Sequence, residues 1–263
     1  MHISFVFFGS SPFSAVVLRE LVAAKYAPTL IINDARAPLD AATLRHHAPS
    51  GGWDVFIVAS FGRIISAEIL AIPKHGSLNV HPSLLPKYRG SSPIQSAILA
   101  DDRNTGVSIM QMDAELDHGP IVASKKVPTP HWPPNYDELE KILGTAGGTL
   151  LANILPDWCT GKITAHPQDH VDATYTKKIV PADGDLPFDP TTKNLAGDPY
   201  QNFLKIQAFA RWPKAHFFIE RKGRRQRILI TKAHYENNTL IIERVVPEGK
   251  QEMQWPDFAK GYL

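Results

Sequence analysis

The chain opens on a run that few folds accept. Residues 2–8 are apolar almost throughout, Gly9 ends the run, and Ser10, Ser11 and Pro12 follow at once. A hydroxyl able to cap backbone N–H groups, with proline just inside, is the chemistry of a helix start. Residues 13–24 then carry Val16, Val17 and Leu21 at helical spacing. Strand, turn and helix in that order begin an α/β unit. Residues 28–33 and 54–59 are further strand-like runs, again continuous rather than alternating. Continuous apolar runs suit strands buried on both faces of a parallel sheet. Residues 40–47, lying between them, have room for one short helix.

The pattern changes along the chain. Residues 77–80 read as a short strand running into a polar cluster, and 93–100 as a helix. Residues 107–112 and 121–126 read as strands flanking a loop at 113–120. A long helix is expected over 136–155, with Leu139, Ile142, Leu143, Leu150, Leu151 and Ile154 on one stripe and Gly147-Gly148 interrupting its middle. Residues 164–190 are polar and proline-rich without a period, as in a linker lying across the surface of the first domain. A helix over 200–210 follows. Strands at 216–220, 227–233 and 239–245 are separated by Gly223 and by Glu236-Asn237-Asn238. The expected organisation is an α/β domain over 1–163, a linker over 164–199 and a small barrel-like β domain over 200–263.

Composition narrows the function classes. Of 263 residues, 43% are hydrophobic and 21% charged, and the net charge of +2 is too small to imply nucleic-acid binding by itself. Its distribution is uneven. Between 205 and 232 lie Lys205, Arg211, Lys214, Arg221, Lys222, Arg224, Arg225, Arg227 and Lys232, against one acid, Glu220. Cys159 is the single cysteine, so no intramolecular disulfide can form and a reducing compartment fits. It reads as a buried structural thiol. No His/Cys grouping has the spacing of a structural zinc site, so no metal is expected. With no leader pattern and no apolar stretch of about 20 residues, the chain is expected to be soluble and cytoplasmic, without membrane contact.

The chemistry concentrates in two segments. In LNVHPSLLPKYRGSSPI (78–94), a strand delivers Asn79 and His81 two residues apart, hence on one face. Prolines 82, 86 and 93 stiffen the loop and Gly90 permits a turn. A loop leaving a strand end is where an open α/β sheet puts its ligand site. The Asn79 amide can donate to an oxygen that becomes negative, and His81 can donate to it or pass a proton. MQMDAELDHGP (110–120) adds Asp113, Glu115 and Asp117, a carboxylate source for orienting His81 or relaying protons. Taken singly, these residues are also compatible with a turn asparagine, a satisfied half-buried histidine and a solvated acidic loop.

Taken together, HPSLLPKYRGSSPIQ and TGVSIMQMDAELDHGPI resemble the formyltransferase family that uses 10-formyltetrahydrofolate. FFGSSPFSAVVL (7–18), ASFGRIIS (59–66), ATYTKKIVPADGDLPFD (173–189), IQAFARWPKAHF (206–217) and PEGKQEMQWPDFAKGY (247–262) extend the resemblance over most of the chain. It is greatest to the members that act on methionyl-tRNA. The resemblance implies a Rossmann-like formyltransferase domain, without NAD since G-x-G-x-x-G is absent, and a small OB-like C-terminal barrel. It also implies a catalytic set of Asn79, His81 and Asp117, and folate contacts from Phe61, Gly62, Ile64, Ser83, Leu84, Leu85, Pro86, Asp113 and Glu115. The implied partners are 10-formyltetrahydrofolate as co-substrate and methionyl initiator tRNA, bound by a monomer through Arg221, Lys222, Arg224, Arg225 and Arg227.

The chain departs from the family between residues 33 and 54. A longer segment, with a P-D-x-P-x-G-R-G-like loop that enters the tRNA acceptor end, is missing there. That keeps other acceptors open. A sugar-nucleotide N-formyltransferase would use the same catalytic set, a formyl-folate hydrolase would use water, and a decayed enzyme would bind RNA without catalysis.

Overall fold

The computed structural model describes residues 2–263. It comprises two compact units. The first holds the chain up to Pro93, with Asn104–Pro128 and Glu140–Thr176; the second holds Ile94–Arg103, Thr129–Leu139 and Lys177–Leu263.

The first unit is built on a six-stranded sheet. Its strands are β1 (Phe5–Phe8), β2 (Leu30–Ile32), β3 (Val55–Val58), β4 (Ser77–His81), β5 (Gly106–Gln111) and β6 (Ile121–Lys126), in spatial order β2-β1-β3-β4-β5-β6. β2, β1, β3 and β4 run parallel, and β5 and β6 join antiparallel. The opening reads as the sequence predicts. Ser11 caps α1 (Pro12–Ala23), accepting from Ser14 N–H at 3.2 Å while Ser14 Oγ accepts from Ser11 N–H at 2.9 Å. β1 and β3 are buried along their whole length. β2 is not. It is the sheet's edge, and Ile31 is 46% exposed, so burial on both faces holds only for the inner strands.

The short stretch between β2 and β3 folds as a single helix, α2 (Ala41–His46), capped by Asp40. Trp53 fastens it. The indole is 2% exposed and donates from Nε1 to the Leu44 carbonyl at 2.8 Å. Trp53, Ala41 and Leu44 pack in one cluster with Val6, Phe8, Phe56 and Phe61, so the short connection contributes to the core. A one-turn helix, α3 (Ala67–Leu70), follows β3.

Helix α5 (Tyr136–Cys159) runs past the expected end, through Pro156. The glycines that interrupt its stripe allow close packing. A Cβ on Gly147 would stand 2.6 Å from Val80 Cγ1, and one on Gly148 would stand 2.7 Å from Glu20 Cβ and 2.9 Å from the Val17 carbonyl.

The second unit contains α4 from Ile94 onward (the helix is Pro93–Leu99), a two-residue hairpin of β7 (Phe188–Asp189) and β8 (Asn194–Leu195), and α6 (Pro199–Ala208). Beyond these lie β9 (His216–Arg221), β10 (Arg224–Glu236), β11 (Thr239–Pro247), β12 (Met253–Gln254) and α7 (Trp255–Tyr262). Asp101 Oδ1 accepts from Trp132 Nε1 at 2.6 Å and from Tyr200 Oη at 2.9 Å, tying the unit's separated segments together. The expected barrel is corrected here. The strands form an open antiparallel sheet, ordered β12-β11-β10-β9, and among the described residues no ladder joins β9 to β12. The sheet's apolar face is covered by α6 and α7, with Phe203, Phe217, Ile228, Ile242 and Phe258 between them. The stretch read as a linker contains the β7–β8 hairpin and two short 3₁₀ turns.

Two predictions follow from this packing. Gly148→Ala gains up to about 1 kcal/mol in helix propensity, but its methyl collides with the α1 backbone, an overpacking cost of about 1–3 kcal/mol. A lowered urea midpoint is the expected outcome. Burial, aided by Asp54, pushes the Cys159 thiol up to about 11. The neutral thiol is thus the favoured folded form, a contribution to stability that is lost as pH rises through that value. At pH 8 a thiol-alkylating reagent should leave Cys159 unmodified in the folded protein and label it fully in denaturant, read by mass spectrometry.

Candidate active site

The site grows from the end of β4, where the sheet changes from parallel to antiparallel pairing. Asn79 pairs with Val58 on the parallel side and Met110 on the antiparallel side, and His81 pairs with Ser108. The loops after β1, β3 and β4 all leave the same sheet edge, as parallel strands require. They touch. Ser10 Oγ donates to the Phe61 carbonyl at 2.8 Å and Ser10 N–H to the Ser60 carbonyl at 3.4 Å.

Asn79, His81 and Asp117 meet. Asp117 arrives from the β5–β6 loop with φ at +48°. Its Oδ1 accepts from Asn79 Nδ2 at 3.2 Å, and its Oδ2 accepts from the Gly90 N–H at 2.7 Å. The same Oδ2 lies 3.7 Å from His81 Nδ1. His81 is 4% exposed, and its Nε2 contacts the Tyr88 carbonyl at 2.9 Å. A carbonyl only accepts, so Nε2 carries a hydrogen and Nδ1 is the nitrogen turned toward Asp117. Asn79 keeps a second amide N–H beyond the one given to Asp117.

The expected folate residues divide into two groups. The 83–86 loop is fixed from beneath by Ser108 on β5, fully buried, whose hydroxyl donates to the Ser83 carbonyl at 2.8 Å and accepts from Leu85 N–H at 3.0 Å. The Ser83 hydroxyl is itself committed to the Lys87 carbonyl at 2.6 Å, Leu85 is buried, and Leu84 and Pro86 are partly buried. Phe61 is a core residue edge-on to Phe8, leaving its backbone to face the edge. Gly62 turns the chain with φ at +74°, and Ile64 stands 93% exposed beside it. Asp113 holds its own loop, accepting from Glu115 N–H and from His118 Nδ1 at 2.7 Å, while Glu115 is exposed.

The basic residues lie in the second unit on the β9–β10 hairpin, which turns at Lys222-Gly223. Arg221 lies over the Tyr262 ring at 4.2 Å and Arg225 over Phe218 at 3.8 Å. Arg224 faces Arg221 across the ladder, and Arg227 N–H donates to Glu248.

Sequence reasoning missed Ser108, Arg89 and Gln168. Arg89 is 1% exposed and sits within the quoted motif, where a cation among prolines and glycines was a signal. Gln168 lies in a stretch with no periodicity and had none.

Comparison with known proteins shows the family. The Formyl transferase family model matches residues 20–154. The chain belongs to this family. Methionyl-tRNA formyltransferase of Roseiflexus castenholzii is 33% identical over 260 residues, an alignment covering 89% of this chain and 77% of the relative. That of Thermus thermophilus is 34% identical over 241 residues, covering 83% and 73%. Among solved structures, methionyl-tRNA formyltransferase from Clostridium thermocellum superposes with a TM-score of 0.67 at 17% identity, covering 96% of this chain and 99% of that one. The family match covers both segments that bring Asn79, His81 and Asp117 together.

Removing the Ser108 hydroxyl would strand a buried N–H and a carbonyl beneath the loop. Ser108→Ala should lower stability by about 1–3 kcal/mol, measured by chemical denaturation.

Proposed function

We propose that this protein transfers the formyl group of 10-formyltetrahydrofolate to the amino group of methionyl-tRNA. The observation that carries the reading is the meeting of Asn79, His81 and Asp117 at one strand end in a member of the formyl transferase family. The names of the relatives, each matched over about three quarters of its length, support the acceptor.

The folate substrate supplies a formyl carbonyl carried on nitrogen, from which an amine can displace it. Asn79 offers its second amide N–H to the formyl oxygen as that oxygen becomes negative. His81, once protonated, sets its positive charge beside that oxygen, with its ring held between the Tyr88 carbonyl and Asp117. Asp117 balances that charge and takes the proton released by the attacking amine, returning it to the departing folate nitrogen. The 83–86 loop and the Phe61–Gly62 backbone would hold the folate ring, with Ile64, Asp113 and Glu115 at the rim. These assignments need no metal.

The acceptor would be held through phosphates by the hairpin bearing Arg221, Lys222, Arg224, Arg225 and Arg227. We take residues 164–199 as the tract linking the catalytic part to this β domain. All three reacting groups come from one chain, as in a monomer, and the free buried thiol suits a reducing cytoplasm.

The test supplies 10-formyltetrahydrofolate and methionyl initiator tRNA and scores formyl-methionyl-tRNA by acid gel. Transfer is expected, and its complete absence would sink the reading. Asn79→Ala and His81→Ala should each lower turnover by roughly 10²–10³-fold.

A further inference from the structure

The proposed reaction uses three side chains and leaves a buried cation and amide beside them without a role. Arg89 is 1% exposed and Gln168 is 5% exposed. Arg89 donates to Gln168 Oε1 from Nε at 3.1 Å and from a terminal nitrogen at 2.7 Å. It also meets the Tyr175 hydroxyl at 3.2 Å and His170 Nδ1 at 2.8 Å. Two of these contacts converge on one atom, so the guanidinium spends much of its donor capacity on a single carboxamide oxygen.

The nitrogen of that carboxamide reaches the catalytic loop. Gln168 Nε2 donates to the backbone carbonyls of Asp117, at 2.9 Å, and of Gly119, at 2.7 Å. Swapping the amide would set its oxygen against two carbonyls and its nitrogen against a guanidinium, so one orientation is enforced. A cation on Oε1 polarises the amide and strengthens both N–H donors. The grip falls on a residue that needs it. Asp117 has φ at +48°, a conformation that L residues rarely adopt. The other side of the contact is tied down as well. Arg89 N–H donates to the Thr174 carbonyl and Thr176 N–H to the Arg89 carbonyl, both at 2.8 Å, which fixes Gly90, the N–H partner of Asp117 Oδ2.

We propose that Gln168 and Arg89 form a positioning pair that fixes the Asp117 backbone, so that one carboxylate reaches Asn79, Gly90 and His81 together. The proposal rests on the formyl-transfer reading for its effect on rate, but not for its effect on the loop. Gln168 is a positioning residue, since it touches neither substrate nor reacting atom.

Gln168→Glu separates the two halves of the contact. It keeps an oxygen for Arg89, now with opposite charge, but turns a carboxylate oxygen toward two carbonyls. A residue present only to satisfy a buried arginine would tolerate the change. The positioning role requires kcat for methionyl-tRNA formylation to fall roughly 10–100-fold, with KM for 10-formyltetrahydrofolate within about threefold of wild type. It also requires faster backbone hydrogen exchange across 113–120 with β1 and β3 unchanged. Gln168→Met, of similar shape but with no donor and only a weak thioether acceptor, should show the same split. Wild-type kcat in Gln168→Glu, or unchanged exchange across 113–120, overturns the pair. If the wild-type protein transfers no formyl group, the formyl-transfer reading has failed and the exchange measurement alone decides the pair.

Discussion

One carboxylate holds the candidate site together. Asp117 accepts from a side-chain amide on β4, accepts from a backbone N–H in the loop that β4 feeds, and faces the imidazole between them. Hydrogen bonds to an ionised acceptor are roughly twice as strong as neutral ones. They also impose geometry, because each oxygen has its own partner. Two separate loops are therefore registered against each other through this side chain. Neutralising it would leave an N–H and an imidazole facing an uncharged group, and the spacing between Asn79 and His81 would lose its common reference.

The sheet explains why this happens at β4. Parallel strands deliver their following loops to one edge, and β1, β3 and β4 all do so. At β4 the pairing turns antiparallel, so β5 runs away from that edge and the β5–β6 loop leaves beside Ser77, at the start of β4, from where Asp117 reaches back to Asn79 and Gly90. Close packing behind the strand then limits drift. Gly147 lets α5 approach Val80, the residue between Asn79 and His81. Beneath the neighbouring loop, the Ser108 hydroxyl performs the corresponding task in hydrogen bonds.

Much of this was legible in the chain. Continuous apolar runs announced β1 and β3, and Ser11-Pro12 announced α1. N-x-H on a strand, followed by an acidic loop, announced the three side chains that meet at β4. Legibility failed where position in the fold overrides composition. β2 is as apolar as its neighbours but lies at an edge, which no local pattern reveals. The second unit has the strands expected of a barrel, yet its sheet remains open, covered by α6 and α7. The α7 helix itself was readable in hindsight, with Trp255, Phe258 and Tyr262 spaced as one face and Pro256 near its start. Gln168 was not readable, because its importance comes from two carbonyls about 50 residues away.

The hairpin of the second unit holds its arginines in an unusual way. Arg221 lies against Tyr262 and Arg225 against Phe218, each a flat cation resting on a flat ring. An arginine free in solvent surrenders up to about 2 kcal/mol of rotamer freedom when a ligand fixes it. Here stacking has already removed part of that freedom in the unliganded protein. Any polyanion meeting these two side chains would find them already partly ordered, with less rotamer freedom left to lose on contact.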